Sequence, residues 1–199
     1  YAGQTNTPAT IGHGLGVAPS FIITKNRTTG TYDGDVWHSA LSGTQYLVLN
    51  STAAVASNAN AWNSTTPTST VFSVGQFGGT CGLTGDNMIA YCWAEVAGFS
   101  KFGSYTGNGS TDGPFVYTGF RPKFVLVKRS DSLSDWEIFD GVRNTYNVQT
   151  KFLQSNSSDG EKTDSNYVLD FVSNGFRLKG TGGNINGSGG NFIFAAFAE

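Results

Sequence analysis

The chain has 199 residues, a formal net charge of −2 and only 13% charged residues, with 27 glycines and five prolines. This composition is typical of short strands joined by tight turns and unlike that of a helical bundle. The weak charge argues against nucleic-acid binding. No apolar run approaches the roughly 18 residues that a membrane-spanning helix needs, so membrane insertion is not expected.

The first half of the chain carries five strand-like segments and a weaker one at its start. The pattern Pro19-Ser-Phe-Ile-Ile predicts a strand near 19–25, because the residue before proline is held extended and an aliphatic run follows. Further strands are expected near 35–40, 45–50, 70–75 and 87–96. Turn residues such as Asp33-Gly34 separate them.

The connection between the halves, residues 99–119, combines glycines with large aromatic side chains. A purely flexible linker would lack Phe99, Phe102, Tyr105 and Phe115. We therefore expect this connection to be ordered and packed.

An internal repeat relates the second half to the first at a separation close to 104 residues. Tyr1-Ala-Gly matches Tyr105-Thr-Gly, and the strand at 19–25 matches the segment at 122–128. The block 85–95 matches 189–199 without a gap. Because core, turn and terminal residues all match, biased composition does not explain the repeat.

The repeat predicts two tandem homologous units, residues 1–104 and 105–199. Each is expected to be an all-β sandwich of the jelly-roll-like kind with little or no helix. A chain that begins and stops near repeat edges suggests a processed product or a piece of a longer protein. The predicted core residues are the matched pair Trp37 and Trp136, together with Trp93 and Phe197.

A search for catalytic groups favours a protein that is not an enzyme. A nucleophile triad needs a histidine, and neither His13 nor His38 has a counterpart in the second unit. No nucleophile-elbow pattern surrounds any serine. Glu95 and Glu199 are repeat equivalents, which indicates a shared structural position and places them in separate units.

No cofactor and no metal site is predicted. Cys81 and Cys92 lack the spacing of a zinc or redox motif. The acidic turns at 33–35 and 131–135 have too few ligands for a calcium loop, and we interpret them as solvated turns.

Three aromatic residues in turn-rich segments are candidate ligand-binding residues. Trp62 and Tyr32 lie in polar insertions of the first unit, and Tyr146 lies in a loop of the second. Exposed aromatic rings stack on sugar faces, so these residues predict a glycan site. The alternative is that they cap the ends of the core or fill an oligomer interface.

Three blocks of the sequence resemble a known family. They are Gly12-His-Gly-Leu-Gly-Val-Ala-Pro-Ser, Tyr91-Cys-Trp-Ala-Glu-Val, and the long segment from Lys101 to Pro122. They are similar to functionally uncharacterised proteins encoded by tailed bacteriophages, many infecting aquatic hosts such as cyanobacteria. The likeness covers nearly the whole chain and carries no catalytic assignment.

The resemblance implies a virion surface protein, such as a head decoration, a head fibre or a tail-fibre component. Such a protein is expected on the particle surface as a homo-oligomer, with a trimer favoured by analogy, in contact with other virion proteins. An alternative from a different class is a host-recognition module that binds surface glycan through Trp62 or Tyr32. A capsule-depolymerising enzyme is a distant third.

Overall fold

The structure, a computed structural model, describes residues 1–5 and 7–199. Strands make up 39% of the residues and helices 4%, and the sheets are antiparallel, so the predicted all-β class is confirmed. By its internal contacts the chain divides into two compact units. The first unit comprises Tyr1–Asn50 and Val55–Ala94, and the second unit comprises Ser51–Ala54 and Glu95–Glu199.

The first unit contains two antiparallel sheets and one short helix. Its elements are β1 (Ala9–Gly12), β2 (Phe21–Asn26), β3 (Gly34–His38), β4 (Gln45–Val48), β5 (Ala56–Ser57), β6 (Val71–Val74), α1 (Gly78–Cys81) and β7 (Met88–Trp93). One sheet has the strand order β5-β4-β3-β2-β7, and the other pairs β1 with β6.

The second unit contains a six-stranded and a three-stranded sheet. Its elements are β8 (Ser100–Thr106), β9 (Phe115–Tyr117), β10 (Phe124–Arg129), β11 (Trp136–Asp140), β12 (Lys151–Gln154), β13 (Lys162–Thr163), β14 (Leu169–Val172), β15 (Gly175–Leu178), α2 (Gly183–Asn186) and β16 (Asn191–Phe197). The strand orders are β13-β12-β11-β10-β16-β8 and β14-β15-β9. Both described helices are four residues long, too short to cross a membrane.

The strands that follow the proline signals are interior strands of the large sheets. In β2 the aromatic-aliphatic run lies between β3 and β7, and in β10 it lies between β11 and β16. β-Branched and aromatic side chains suit such positions, because both faces of a central strand meet other side chains. The strand predicted near 19–25 is confirmed.

Similar hydrogen bonds occur at matching positions of the two predicted repeats. The Tyr1 hydroxyl donates to the carbonyl oxygen of Thr80 in α1, and the Tyr105 hydroxyl donates to that of Ile185 in α2, at 2.6 Å. The Gly3 N–H donates to Asp86 O at 2.8 Å, and the Gly107 N–H donates to Gly190 O at 2.9 Å. The two donors are 104 residues apart in the sequence, and so are the two acceptors. In each unit, a tyrosine hydroxyl thus donates a hydrogen bond to a backbone carbonyl oxygen of the short helix.

The repeat edge between residues 104 and 105 does not coincide with a gap between the units. It falls inside β8, which pairs with β16 over seven residues from Ser100 to Thr106. The second unit therefore begins at Glu95. The connection at 99–119 contains β8 and β9, so the expectation that it is ordered is confirmed.

Each unit has a hydrophobic core that draws side chains from both of its sheets and from its helix. In the first unit the buried core cluster is Ile22, Trp37, Ala61, Trp62, Phe72, Val74 and Cys81. In the second unit it is Val116, Phe120, Val125, Val127, Phe139, Phe152, Leu169, Phe171, Phe176, Leu178, Ile185, Phe192, Phe194 and Ala196.

The match of Trp37 to Trp136 is wrong by three positions. Trp37 pairs across the sheet with Ile22, and the repeat equivalent of that pair is Phe139 with Val125. Trp37 therefore corresponds to Phe139. The two tryptophans lie at opposite ends of equivalent strands, so their shared residue type does not mark a shared position.

Candidate functional site

The site with the strongest chemistry is a cleft in the first unit, which we call the carboxylate cleft. It encloses about 190 Å³. Its lining residues are Thr31, Tyr32, Asp33, Asp35, Tyr46, Val48, Phe77, Gly78 and Gly79. They come from the β2–β3 turn, β3, β4 and the start of α1.

Strand pairing places Asp35 at the centre of this site. In β3 it pairs with Thr24 of β2 on one side and with Val48 of β4 on the other. The helix α1 then approaches its carboxylate through Gly79. A Cβ atom at position 79 would lie 1.6 Å from Asp35 Oδ2, so only glycine permits this approach.

Asp35 is a buried acid without a full set of hydrogen-bond partners. Its side chain is part of a residue only 2% exposed, and Oδ2 has no partner in the described chain. Burial raises the pKa of the carboxyl to about 7; Asp33 raises it further, and Lys25 opposes the shift. The predicted solvated turn at 33–35 is therefore wrong for Asp35, although Asp33 is exposed.

Aromatic rings form the walls of the carboxylate cleft. The rings of Tyr46 and Phe77 are 4.9 Å apart between centroids and tilted by 58°. The Tyr32 ring lies against Gly78, where a Cβ would be only 2.2 Å from Tyr32 Cε1. All three rings are partly exposed, so they present apolar surface next to a carboxylate.

The register of the sheets identifies the equivalent position in the second unit. Asn50 Oδ1 accepts the Gly34 N–H at 2.9 Å, and Asn156 Oδ1 accepts the Trp136 N–H at 2.8 Å. The residue after Gly34 is Asp35, and the residue after Trp136 is Glu137. Glu137 is thus the second-unit counterpart of Asp35.

Two amide side chains donate to one carboxylate oxygen of Glu137, and the first unit has no amide at the equivalent positions. Glu137 Oε1 accepts hydrogen bonds from Asn184 Nδ2 at 2.8 Å and from Gln154 Nε2 at 3.1 Å. The equivalents of Asn184 and Gln154 are Gly79 and Val48, whose side chains carry no donor. Glu137 Oε2 is also without a partner in the described chain. Burial raises the Glu137 pKa, and the two amides oppose the rise.

Trp62, one of the predicted glycan residues, is not available to a ligand. It is 1% exposed and belongs to the first core cluster, with its ring 6.5 Å from Phe72 in a T-shaped contact. The polar residues around Trp62 in the sequence suggested a surface loop. The loop instead folds its one large apolar side chain inward, because burial of an indole ring is strongly favourable.

The other two predicted glycan residues lie in different units. Tyr32 lines the carboxylate cleft of the first unit, and Tyr146 is 82% exposed in a loop of the second. Neither shares a cavity lining with Trp62 in the described cavities. The structure therefore does not bring the three residues into one site.

The predicted core residues differ in their burial. Trp37 and Trp136 are buried. Trp93 and Phe197 are partly exposed at matching positions of β7 and β16. Trp93 contacts the Phe21 ring at 5.6 Å, and Phe197 contacts the Phe102 ring at 5.7 Å.

A second surface feature lies in the second unit, and we call it the aromatic edge. It consists of Val96, Phe99, Phe115 and Tyr117, all of them exposed, with Tyr117 at 63%. The last two project from β9, the edge strand of its sheet. Tyr117 and the turn at 95–98 border a depression of about 500 Å³.

The described part of the chain contains no group of three or more His, Cys, Asp or Glu residues that could hold a metal ion. Cys81 and Cys92 are both free thiols. His38 is buried, and His13 lies beside the carbonyl oxygen of Thr68 at 3.1 Å.

Sequence reasoning missed Asp35, Gly79 and Val48 as site residues. A signal was present, because an acid occurs at the equivalent place in both repeats. The equivalence of Asp35 and Glu137 is evident only from the strand register, because matching Trp37 to Trp136 shifts the comparison by three residues.

Two compact units built of antiparallel sheets, the first with an open carboxylate cleft, define an all-β protein. Within that class, the chain belongs to the family described as Domain of unknown function (DUF7483), whose model matches residues 1–199. No curated protein and no solved structure shows significant similarity to it.

Proposed function

We propose that this chain is a non-catalytic structural protein of the surface of a tailed-bacteriophage virion. It serves there as a head decoration, a head fibre or a tail-fibre component. Its partners are further copies of the same chain, in a trimer by analogy with other projecting virion parts, and neighbouring virion proteins. The sequence blocks that resemble tailed-phage proteins support this assignment to the particle.

The aromatic edge is the observation that carries the structural role. Phe115 and Tyr117 lie two residues apart on β9 and are both exposed, as are Val96 and Phe99. Exposed apolar side chains that lie together on one strand commonly mark protein–protein contacts. A second copy of the chain is the occupant we assign to it, because β9 also offers an unpaired strand edge.

We further propose that each unit is a sandwich of its two sheets. The core cluster of the second unit combines Phe139 and Phe194 of the six-stranded sheet with Phe176 of the three-stranded sheet. Side chains from two sheets filling one core is the arrangement that a sandwich requires.

Immunogold electron microscopy of intact particles from the source tests the virion assignment. Antibody against this chain should label the particles, because a surface protein is accessible without disruption. Label over the head would identify a decoration or head fibre, and label on the tail would identify a tail-fibre component. If intact particles carry no label and disrupted particles contain no antigen, the proposal is wrong.

Glycan recognition on the host surface is a second candidate function, favoured by the carboxylate cleft. Aromatic rings beside carboxylate oxygens offer both kinds of contact that a sugar makes, stacking on its apolar face and accepting from its hydroxyl groups. Tyr32 belongs to this cleft, whereas Trp62 is buried and cannot take part. Binding of the chain to host envelopes, competed by soluble sugars, would support this function, and the absence of competition would count against it.

A further inference from the structure

Replacement of two amide side chains distinguishes the carboxylate cleft from its second-unit counterpart. In the second unit Asn184 and Gln154 donate to the buried acid Glu137. In the first unit Gly79 and Val48 stand at those positions, so both amide donors are missing, and Asp35 Oδ2 lies against the backbone of Gly79 in the cleft lining without a partner among the described residues. A buried carboxylate oxygen without a partner costs free energy, which a ligand donor would recover.

We propose that the carboxylate cleft of the first unit binds the ring of a neutral sugar, with Asp35 accepting hydrogen bonds from its hydroxyl groups. This inference rests on the second candidate function, glycan recognition, and assigns it a site. The hydroxyl groups take the place of the Asn184 and Gln154 amides of the second unit. At the equivalent position of the second unit, side chains of the protein itself donate to the acid. In the first unit, a ligand would donate instead.

The walls of the cleft select the apolar face of a sugar ring. The rings of Tyr46 and Phe77 pack against each other, with centroids 4.9 Å apart, and the Tyr32 ring lies against Gly78 of α1. The C–H groups of a pyranose pack on such rings, while its hydroxyl groups project from the ring edge. The volume of about 190 Å³ lies below the roughly 300–1,000 Å³ of sites for drug-sized ligands, which restricts the occupant to about one ring.

The charge of the cleft excludes acidic sugars. Asp33 and Asp35 both line it, and no other charged residue does. The neighbouring Lys25 ammonium is engaged by the carbonyl oxygen of Tyr32. A carboxylated sugar would therefore meet two acids without a cation to offset them, whereas a neutral sugar supplies only hydroxyl donors.

Titration of the intact chain with single sugars tests the proposal. The probes are the methyl glycosides of glucose, galactose and mannose, together with N-acetylglucosamine, at up to tens of millimolar. Glucuronic acid is the anionic comparison, and tetramethylammonium is the cationic one. Binding is followed by saturation-transfer NMR, which also identifies the ring protons that face the aromatic side chains.

Two substitutions in the cleft separate the site from general effects. Asp35→Asn keeps the shape and removes the charged acceptor. Val48→Gln restores the amide that Gln154 provides in the second unit, and it should occupy the space and satisfy Asp35 from within. Each is expected to weaken binding at least about tenfold, the change that the loss of one charge-assisted hydrogen bond gives. Near-UV circular dichroism checks that both variants keep their tertiary structure.

Glu137→Gln is the matched control, because it makes the equivalent change in the second unit, which the proposal assigns no ligand. It should leave binding unchanged. Saturable binding of a neutral sugar that Asp35→Asn and Val48→Gln abolish and Glu137→Gln preserves supports the cleft.

Other outcomes overturn the inference in distinguishable ways. Sugar binding that survives both cleft substitutions but is lost in Tyr146→Ala would keep glycan recognition and remove the cleft as its site. Binding of tetramethylammonium alone would replace the sugar with a cation. No binding of any sugar would remove both the site and glycan recognition, while the virion assignment would still rest on the microscopy.

Discussion

Burial of the Asp35 carboxyl couples its protonation to the stability of the first unit. Its pKa is raised from 3.8 to about 7, so the folded chain holds a proton there that the unfolded chain has lost. Between those pH values the unfolded state binds fewer protons, and the free energy of unfolding falls as pH rises. Above about pH 7 the effect levels off.

We predict that Asp35→Asn removes this part of the pH dependence. Wild-type protein should melt at a lower temperature at pH 8 than at pH 5, and the variant should show a smaller difference. Three units of pKa correspond to about 4 kcal/mol as an upper bound. The melting temperature of both proteins, measured across this range by circular dichroism, checks the prediction.

Other titrating groups define the controls for this experiment. Asp33, Lys25 and the Tyr1 hydroxyl act on the Asp35 carboxyl or are acted on by it. Glu137 has a raised pKa as well, so it contributes in the same direction in both proteins. The same pH dependence in wild type and Asp35→Asn would show that the Asp35 acid ionises normally.

At the scale of elements, the equivalent strands β3 and β11 each contain one buried tryptophan, but at opposite ends of the strand. Trp37 stands near the end of β3, and Trp136 is the first residue of β11. Both are buried, although Phe139 and Gly34 are their true counterparts. Trp37 and its counterpart Phe139 therefore place a core aromatic ring at the same position of the two strands, and Trp136 is an additional buried ring at the start of β11.

Truncation of either ring should destabilise the protein strongly. Trp37→Ala and Trp136→Ala are each expected to lower the free energy of unfolding by about 3–5 kcal/mol, because each leaves a large cavity in a packed interior. Urea denaturation followed by fluorescence measures the change. Trp93→Ala, at a partly exposed position, should cost less, and a loss under about 1 kcal/mol at Trp37 or Trp136 would contradict the burial.

The strands were predictable from sequence to different degrees. Those after Pro19 and Pro122 carry a strong local signal, and both form interior strands of their sheets. The segment Gly182-Gly183-Asn184 has the composition of a turn, yet α2 begins at Gly183. A single helical turn rich in glycine has no periodicity to read, and the contact of Ile185 with the core decides its conformation.

At the scale of the whole molecule, the aromatic edge makes association of copies the expected behaviour. The double substitution Phe115→Ser with Tyr117→Ser should dissociate the oligomer, because it removes two exposed rings without touching either core. Size-exclusion chromatography with light scattering gives the mass. Tyr146→Ser alters a more exposed ring elsewhere in the same unit and should leave the mass unchanged.

A wild-type chain that stays monomeric at every concentration would remove the aromatic edge as a self-association surface. A trimer that persists in the double variant would place the contact elsewhere. Either result is independent of the sugar-binding experiment, because the carboxylate cleft and the aromatic edge consist of residues of different units.

Duplication was readable from the sequence, but the difference between the copies was not. Matching glycines and aromatic residues mark shared positions, whereas a site arises where the copies differ, as at Gly79 and Asn184. Recognising such a difference requires the register that only paired strands define. The all-β class therefore followed from the sequence, while the cleft followed from the structure.

The segment Ser51–Ala54 lies in the first sequence repeat but belongs to the second compact unit. There the carbonyl oxygens of Thr52 and Ser134 accept from the buried ammonium of Lys128, at 3.2 and 2.7 Å. Independent gene copies can be deleted or exchanged one at a time by recombination. In this chain, removing the first copy at the repeat edge would take from Lys128 one of its two acceptors. The second compact unit thus includes four residues that the first sequence repeat supplies.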